Sequence, residues 1–181
     1  MGDTYAAIVP YGVAPESAQA VADLFVNYLI KRKIISGKLT ECVLGMDSGY
    51  PPAHHYGQIL VQADDYLPEL STNGVAIQLG RQVFNAGGAD EIGCPNCGNN
   101  IVDTDWGNAL EEWGNETGND TVKCIICGTE ASITGYKFKP NWAFGNLGFT
   151  FWNWGSEFTN EFIRDLEKHL GYKLNIVYGK L

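Results

Sequence analysis

Cys94-Pro95-Asn96-Cys97-Gly98 and Cys124-Ile125-Ile126-Cys127-Gly128 frame the stretch that decides how this chain is built. Each holds a C-x-x-C pair, the spacing of a metal knuckle, in which a tight turn points two thiolates at one ion. Glycine follows each pair at once and can take the positive φ such a turn demands. Twenty-six residues separate the pairs, enough for a loop or small helix to fold back and close a tetrahedral site of Cys94, Cys97, Cys124 and Cys127. The pattern predicts a zinc ribbon inserted over residues 91–136.

Zinc suits four thiolates because it needs no redox chemistry and imposes no d-electron geometry. With four protein ligands the sphere is full, so the predicted site is structural, with one Zn²⁺ per chain and no position for water or substrate. Iron is the competing ion. A thioredoxin-like dithiol is the redox alternative, but that chemistry uses a lone C-x-x-C at a helix N-terminus, whereas two pairs here flank an insert. The chain has five cysteines, so a disulfide framework would leave one unpaired. The fifth, Cys42, reads as a small buried apolar residue in a strand.

Outward from the ribbon, the two flanks read alike. On the N-terminal side Tyr5-Ala6-Ala7-Ile8-Val9-Pro10 is a short apolar strand. Pro15-Glu16-Ser17 opens a helix whose Ala18, Val21, Ala22, Phe25, Tyr28 and Leu29 form one apolar stripe. Lys31, Arg32 and Lys33 close it, and Thr40 to Gly45 reads as the next strand. On the C-terminal side the strand is Leu147 to Trp154, and the helix carries Phe158, Phe162, Leu166 and Leu170 before Gly171. A last strand follows from Lys173 to Tyr178. The expected fold class is therefore α+β. Two strand–helix–strand halves form a ferredoxin-like, split-βαβ sandwich over 1–90 and 137–181, with the Cys₄ ribbon between them. Ile59-Leu60-Val61 and Val75-Ala76-Ile77-Gln78-Leu79 read as further short strands.

Charge narrows the function classes. The chain carries 12 Lys and Arg against 21 Asp and Glu, a net −9. Between the knuckles lie Asp103, Asp105, Glu111, Glu112, Glu116 and Asp120 against a single base, Lys123. Nucleic-acid-binding ribbons present the opposite sign, because phosphate contacts dominate affinity. The acidity argues against direct nucleic-acid binding and suits a basic protein partner. No apolar run is long enough for a membrane span, and the first residues lack a signal-peptide pattern. The expectation is a cytoplasmic protein with no membrane contact.

Catalytic signals are thin. His54 and His55 stand in a turn-rich loop, and with Asp47, Asp64 and Asp65 they are the polar cluster available to an enzyme of unknown type. That alternative would use a pocket between sandwich and ribbon. His169 falls in the last turn of the final helix, where a cation meets the dipole favourably. In the aromatic strand, Leu147, Phe149 and Phe151 share one face. Trp152 and Trp154 share the other, either as packing in a central strand or as partly exposed anchors for a partner.

Cys94-Pro95-x-Cys97-Gly98, Trp106, Cys124-x-x-Cys127-Gly128, Tyr136-x-Phe138-x-Pro140-x-Trp142-Ala143-Phe144 and the Phe151-Trp152-Asn153-Trp154 strand together resemble a group of bacterial proteins of uncharacterised activity. Some of these carry the label sugar ABC transporter ATPase. The resemblance is clearest over 94–154, and in the N-terminal half it rests on Ala7-Ile8-Val9-Pro10. It implies the four cysteine ligands and a bacterial cytoplasmic setting, and no activity. The ATPase label has no support in these residues. A P-loop needs G-x-x-x-x-G-K-[ST], and neither Gly37-Lys38-Leu39 nor Gly179-Lys180-Leu181 supplies the hydroxyl or the upstream glycine. The reading that emerges is a non-enzymatic zinc-binding protein acting through protein–protein contacts.

Overall fold

A computed structural model describes residues 2–116 and 118–181. In chain order its elements are β1 (Thr4–Pro10), α1 (Ala18–Lys31), β2 (Val75–Phe84), β3 (Glu91–Gly93), α2 (Gly107–Asn115) and β4 (Thr121–Lys123). They continue with β5 (Glu130–Ser132), β6 (Lys137–Lys139), β7 (Ala143–Trp152), α3 (Asn160–Leu170) and β8 (Leu174–Lys180). This is a mixed α/β chain with a four-stranded sheet and two two-stranded ones.

The main sheet runs β2-β7-β1-β8, and each neighbouring pair is antiparallel. The strands on either side of α1 therefore run parallel with β7 between them, and those on either side of α3 run parallel with β1 between them. The two strand–helix–strand units interleave rather than stand side by side. Both helices cover one face. Ala18, Val21, Ala22, Phe25 and Leu29 of α1 are buried, with Phe162, Leu166 and Leu170 of α3. They meet Ile8, Leu147, Phe149 and Phe151 from the sheet. Phe25 stacks on Phe149 with ring centres 3.5 Å apart.

Local chemistry sets the ends of α3. The Thr159 side chain accepts the Phe162 amide at 3.2 Å, satisfying one orphan donor of the first turn. Gly171 closes the helix at φ +77°.

Two expected strands are not strands. Thr40 to Gly45 is a loop folded on itself, with Thr40 and Gly49 exchanging both backbone bonds at 3.0 and 2.9 Å. Gly45 there takes φ +75°, which breaks the extended run. The second strand of the first half is instead β2, longer than the Val75–Leu79 stretch expected. Ile59-Leu60-Val61 forms the end of a 3₁₀ turn (Tyr56–Ile59) and one bridge from Leu60 to Phe158. Both stretches have strand-forming residues but make only isolated backbone contacts: the Cys42 carbonyl accepts the Asn73 and Gly74 amides just ahead of β2, and Leu60 bridges Phe158.

The ribbon occupies the connection from β2 to β7. β3 pairs with β6 and β4 with β5. The pairing reaches Lys139, past the boundary expected at Tyr136. A bulge between Leu79 and Gln82 of β2 bends the β2/β7 pair as it approaches the ribbon. There the aromatic residues join. Phe138 stacks on Trp142 at 4.5 Å, and Trp113 of α2 meets Phe144 of β7 edge-on at 5.2 Å. Val83 and Phe144 pack against the ribbon's own buried cluster, so the ribbon is seated on the sheet.

Candidate metal centre

Both knuckles are built the same way. In the first, the Gly98 amide donates to the Cys94 carbonyl at 2.9 Å and the Cys94 amide to the Asn99 carbonyl at 2.9 Å. In the second, Gly128 donates to Cys124 at 2.9 Å and Cys124 to Thr129 at 2.8 Å. The glycines stand at φ +71° and +74°, a backbone that a side chain would strain. The short strand pairs hold the two turns face to face.

The result is a group of four sulfurs, from Cys94, Cys97, Cys124 and Cys127, all within 4.8 Å of one another. The Cys94–Cys127 and Cys97–Cys124 sulfurs are each 3.7 Å apart. A tetrahedron with metal–sulfur bonds of about 2.3 Å has edges of about 3.8 Å. The geometry could hold a metal ion, and every ligand position is supplied by the protein. Cys94 and Cys124 are buried while Cys97 and Cys127 face outward, so the site lies at the rim of the ribbon with one side closed by its core.

Donors surround the outward sulfurs. Asn99 Nδ2 lies 3.2 Å from Cys97 Sγ. Thr129 Oγ1 is 3.3 Å and Asn96 Nδ2 3.7 Å from Cys127 Sγ. The Thr129 hydroxyl and amide, then Asn96, pull the Cys127 thiol down to about 5. The Asn99 side chain and amide lower that of Cys97. Charge-assisted bonds of this kind favour the thiolate, the form that ligates metal. Tyr136 is buried under the knuckles and gives its hydroxyl to the Val122 carbonyl at 2.9 Å. Its pKa is raised by burial and then by the surrounding sulfurs.

Other residues singled out in the sequence lie apart from this group. Trp152 is 7% exposed and Trp154 2%, so neither is an exposed anchor for a partner. They do not share a face either. Asn153 takes φ +60° and breaks the alternation, turning Trp154 onto Phe151 at 4.9 Å. Trp152 remains on the opposite face, against Tyr5 at 5.5 Å. The Trp154 indole donates to the Asn73 carbonyl at 2.8 Å.

His54 and His55 fall in a turn, with ring centres 5.1 Å apart, and His55 Nδ1 lies 3.2 Å from the Arg32 carbonyl. His169 rests on the Tyr28 ring at 4.6 Å. Asp47, Asp64 and Asp65 are exposed. A cleft of about 690 Å³ does lie between sheet and ribbon, and its walls hold none of these histidines or aspartates. Cys42 is buried, as expected of a small apolar residue. Among the described residues no helix is long and apolar enough to cross a membrane.

Two features escaped sequence reading. Ile125 and Ile126, the middle residues of the second knuckle, are 71% and 61% exposed. The signal was available: the middle of a C-x-x-C turn projects away from its ion, so apolar residues there have no core to enter. The second is the make-up of the cleft: a pocket between sandwich and ribbon was expected, but its walls come from stretches distant in sequence and hold Arg81, Trp113 and Lys137 rather than the expected polar cluster. Comparison with protein-family models, with curated proteins and with solved structures finds no match to this chain.

Proposed function

We propose that the four cysteines hold one structural zinc ion and that the chain is a non-enzymatic binding protein. It docks a protein partner through the tip of the second knuckle. The observation that carries the reading is the pairing of a metal-competent Cys₄ group with two adjacent exposed isoleucines at its outer turn. An apolar pair held rigidly by a chelate loses little entropy on binding, which favours an interface anchor. The acidic side chains between the knuckles give the partner its sign, since Asp103, Asp105 and Glu111 are exposed and would meet Lys or Arg at the rim.

In this reading the interleaved sheet is a ferredoxin-like sandwich and serves as the platform for the ribbon. The setting is cytoplasmic, consistent with cysteines kept for metal rather than for disulfides. The resemblance to bacterial ribbon proteins belongs to the same reading and adds no activity.

A photo-crosslinking residue installed at position 126 tests the docking claim in cells, with exposed Val61 as the control position. The reading expects a discrete crosslinked protein of basic composition from position 126 only, lost in an Ile125→Ser variant that still binds one zinc. Equal crosslinking from both positions would refute it.

A further inference from the structure

The cleft between the sheet and the ribbon is where this acidic chain turns basic. Against an excess of nine acidic groups overall, the cleft walls carry Arg81, Lys137 and Lys139 and no carboxylate side chain. Two of these cations already have partners just outside the walls. Arg81 Nε lies 3.1 Å from Glu116, and Lys139 Nζ lies 2.6 Å from Glu91. Lys137 is exposed and has no ion pair among the described residues. The wall therefore presents three cations and no carboxylate, with the Lys137 ammonium outside any ion pair among the described residues and able to meet an anion.

The rest of the wall is flat and aromatic. Trp113, Trp142 and Phe144 line it, and Arg81 lies over the Trp113 ring at 5.1 Å, which fixes that ring in place. Trp142 is 8% exposed, and its indole N–H has no acceptor among the described residues. Buried donors normally have one. At about 690 Å³ the cleft falls within the roughly 300–1,000 Å³ of small-molecule sites. Its mixture of rings with a few polar groups is also theirs.

We infer that this cleft is a binding site for a small planar aromatic anion, its ring against the tryptophan wall and its acidic group toward Lys137. The inference stands apart from the knuckle-tip docking. It uses none of the same side chains and can fail without affecting that reading.

Two probes of one shape test it: 2-naphthoate, and 2-naphthamide, which lacks the charge. Each is titrated into the full chain with its native metal, and the five tryptophan indole N–H signals are followed by NMR. Binding in the cleft shifts Trp113 and Trp142 along one saturable curve and leaves Trp154 still. The amide binds at least tenfold more weakly than the carboxylate. Lys137→Gln removes most of that preference while Lys38→Gln, an exposed lysine elsewhere on the surface, leaves it intact. Equal affinity for the two probes, a Trp154 shift on the same curve, or no saturable shift would each overturn the assignment.

Discussion

The two parts of this molecule are held together by different physics. Among the described residues the main sheet and its helices close around a cluster of 22 buried apolar residues, drawn from α1, α3, β1, β2, β7 and the loops between them. The ribbon's cluster has ten among the described residues, two of them the cysteines Cys94 and Cys124, and none of the paired strands described there exceeds three residues. Burial is enough to specify the first. In the second, strands of that length nucleate poorly and bury little, so on the proposed reading the ribbon would depend on a bound ion and on the aromatic seam with the sheet.

Removing one ligand should separate the parts most sharply. Cys124→Ala is expected to abolish metal binding and forfeit on the order of ten kcal/mol from the ribbon. Hydrogen exchange would then show residues 91–139 unprotected while β1, β7 and α1 keep theirs. Equal loss of protection across the sheet would mean that the ribbon is part of the sandwich core.

Acid should draw the same line more gently. The Cys127 pKa lies below the ordinary thiol value of 9.0, near 5, through its bonds from Thr129 and Asn96. A group whose folded pKa is depressed contributes stability in full above its unfolded value and loses it as pH falls through the folded one. The metal-free ribbon is thus expected to weaken from about pH 9 down to about 5. The Glu167 carboxyl in the sandwich is lowered from 4.5 by Lys173, then by the Leu174 amide, so its contribution disappears only below that. Near-ultraviolet circular dichroism across this range should report the Trp106 and Trp113 environments before any loss of sheet signal. A single acid transition shared by both parts would contradict the division.

The seam gives the next effect in size. Trp142 is stacked on Phe138 and meets Trp106 edge-on at 6.0 Å, so Trp142→Ala should cost about 3–5 kcal/mol. Because that ring touches both parts, the loss should lower the thermal midpoint of sheet and ribbon together. A shift confined to the ribbon would show that the seam is not a coupling element. Thr159→Ala is the smallest test, removing the α3 cap for about 1 kcal/mol. It should lower the denaturation midpoint of the sandwich and leave metal affinity unchanged.

What the sequence disclosed follows the same division. The knuckles were legible to the residue, because chelate spacing and the following glycine are local constraints. The helices α1 and α3 were legible because their apolar stripes recur at helical spacing and their ends carry Pro15 and Gly171, while the Thr159 cap was not read. Thr40 to Gly45 misled because strand propensity describes a residue's fit to a sheet, and Gly45 at φ +75° turns the run back before it can pair along β2. Trp154 misled because strict alternation fails once Asn153 adopts a left-handed backbone. The lining of the cleft left no local trace, although a pocket at that place was expected, since Arg81, Trp113 and Lys137 come together only when the ribbon folds onto β2 and β7.

The most direct test of the central claim is the metal itself. The purified full chain would be analysed for elemental content and then by X-ray absorption at the metal edge. One zinc per chain, surrounded by four sulfurs at about 2.3 Å, is the predicted result. Iron in its place, no metal, or a coordination shell containing a nitrogen or oxygen ligand would contradict a closed structural Cys₄ site.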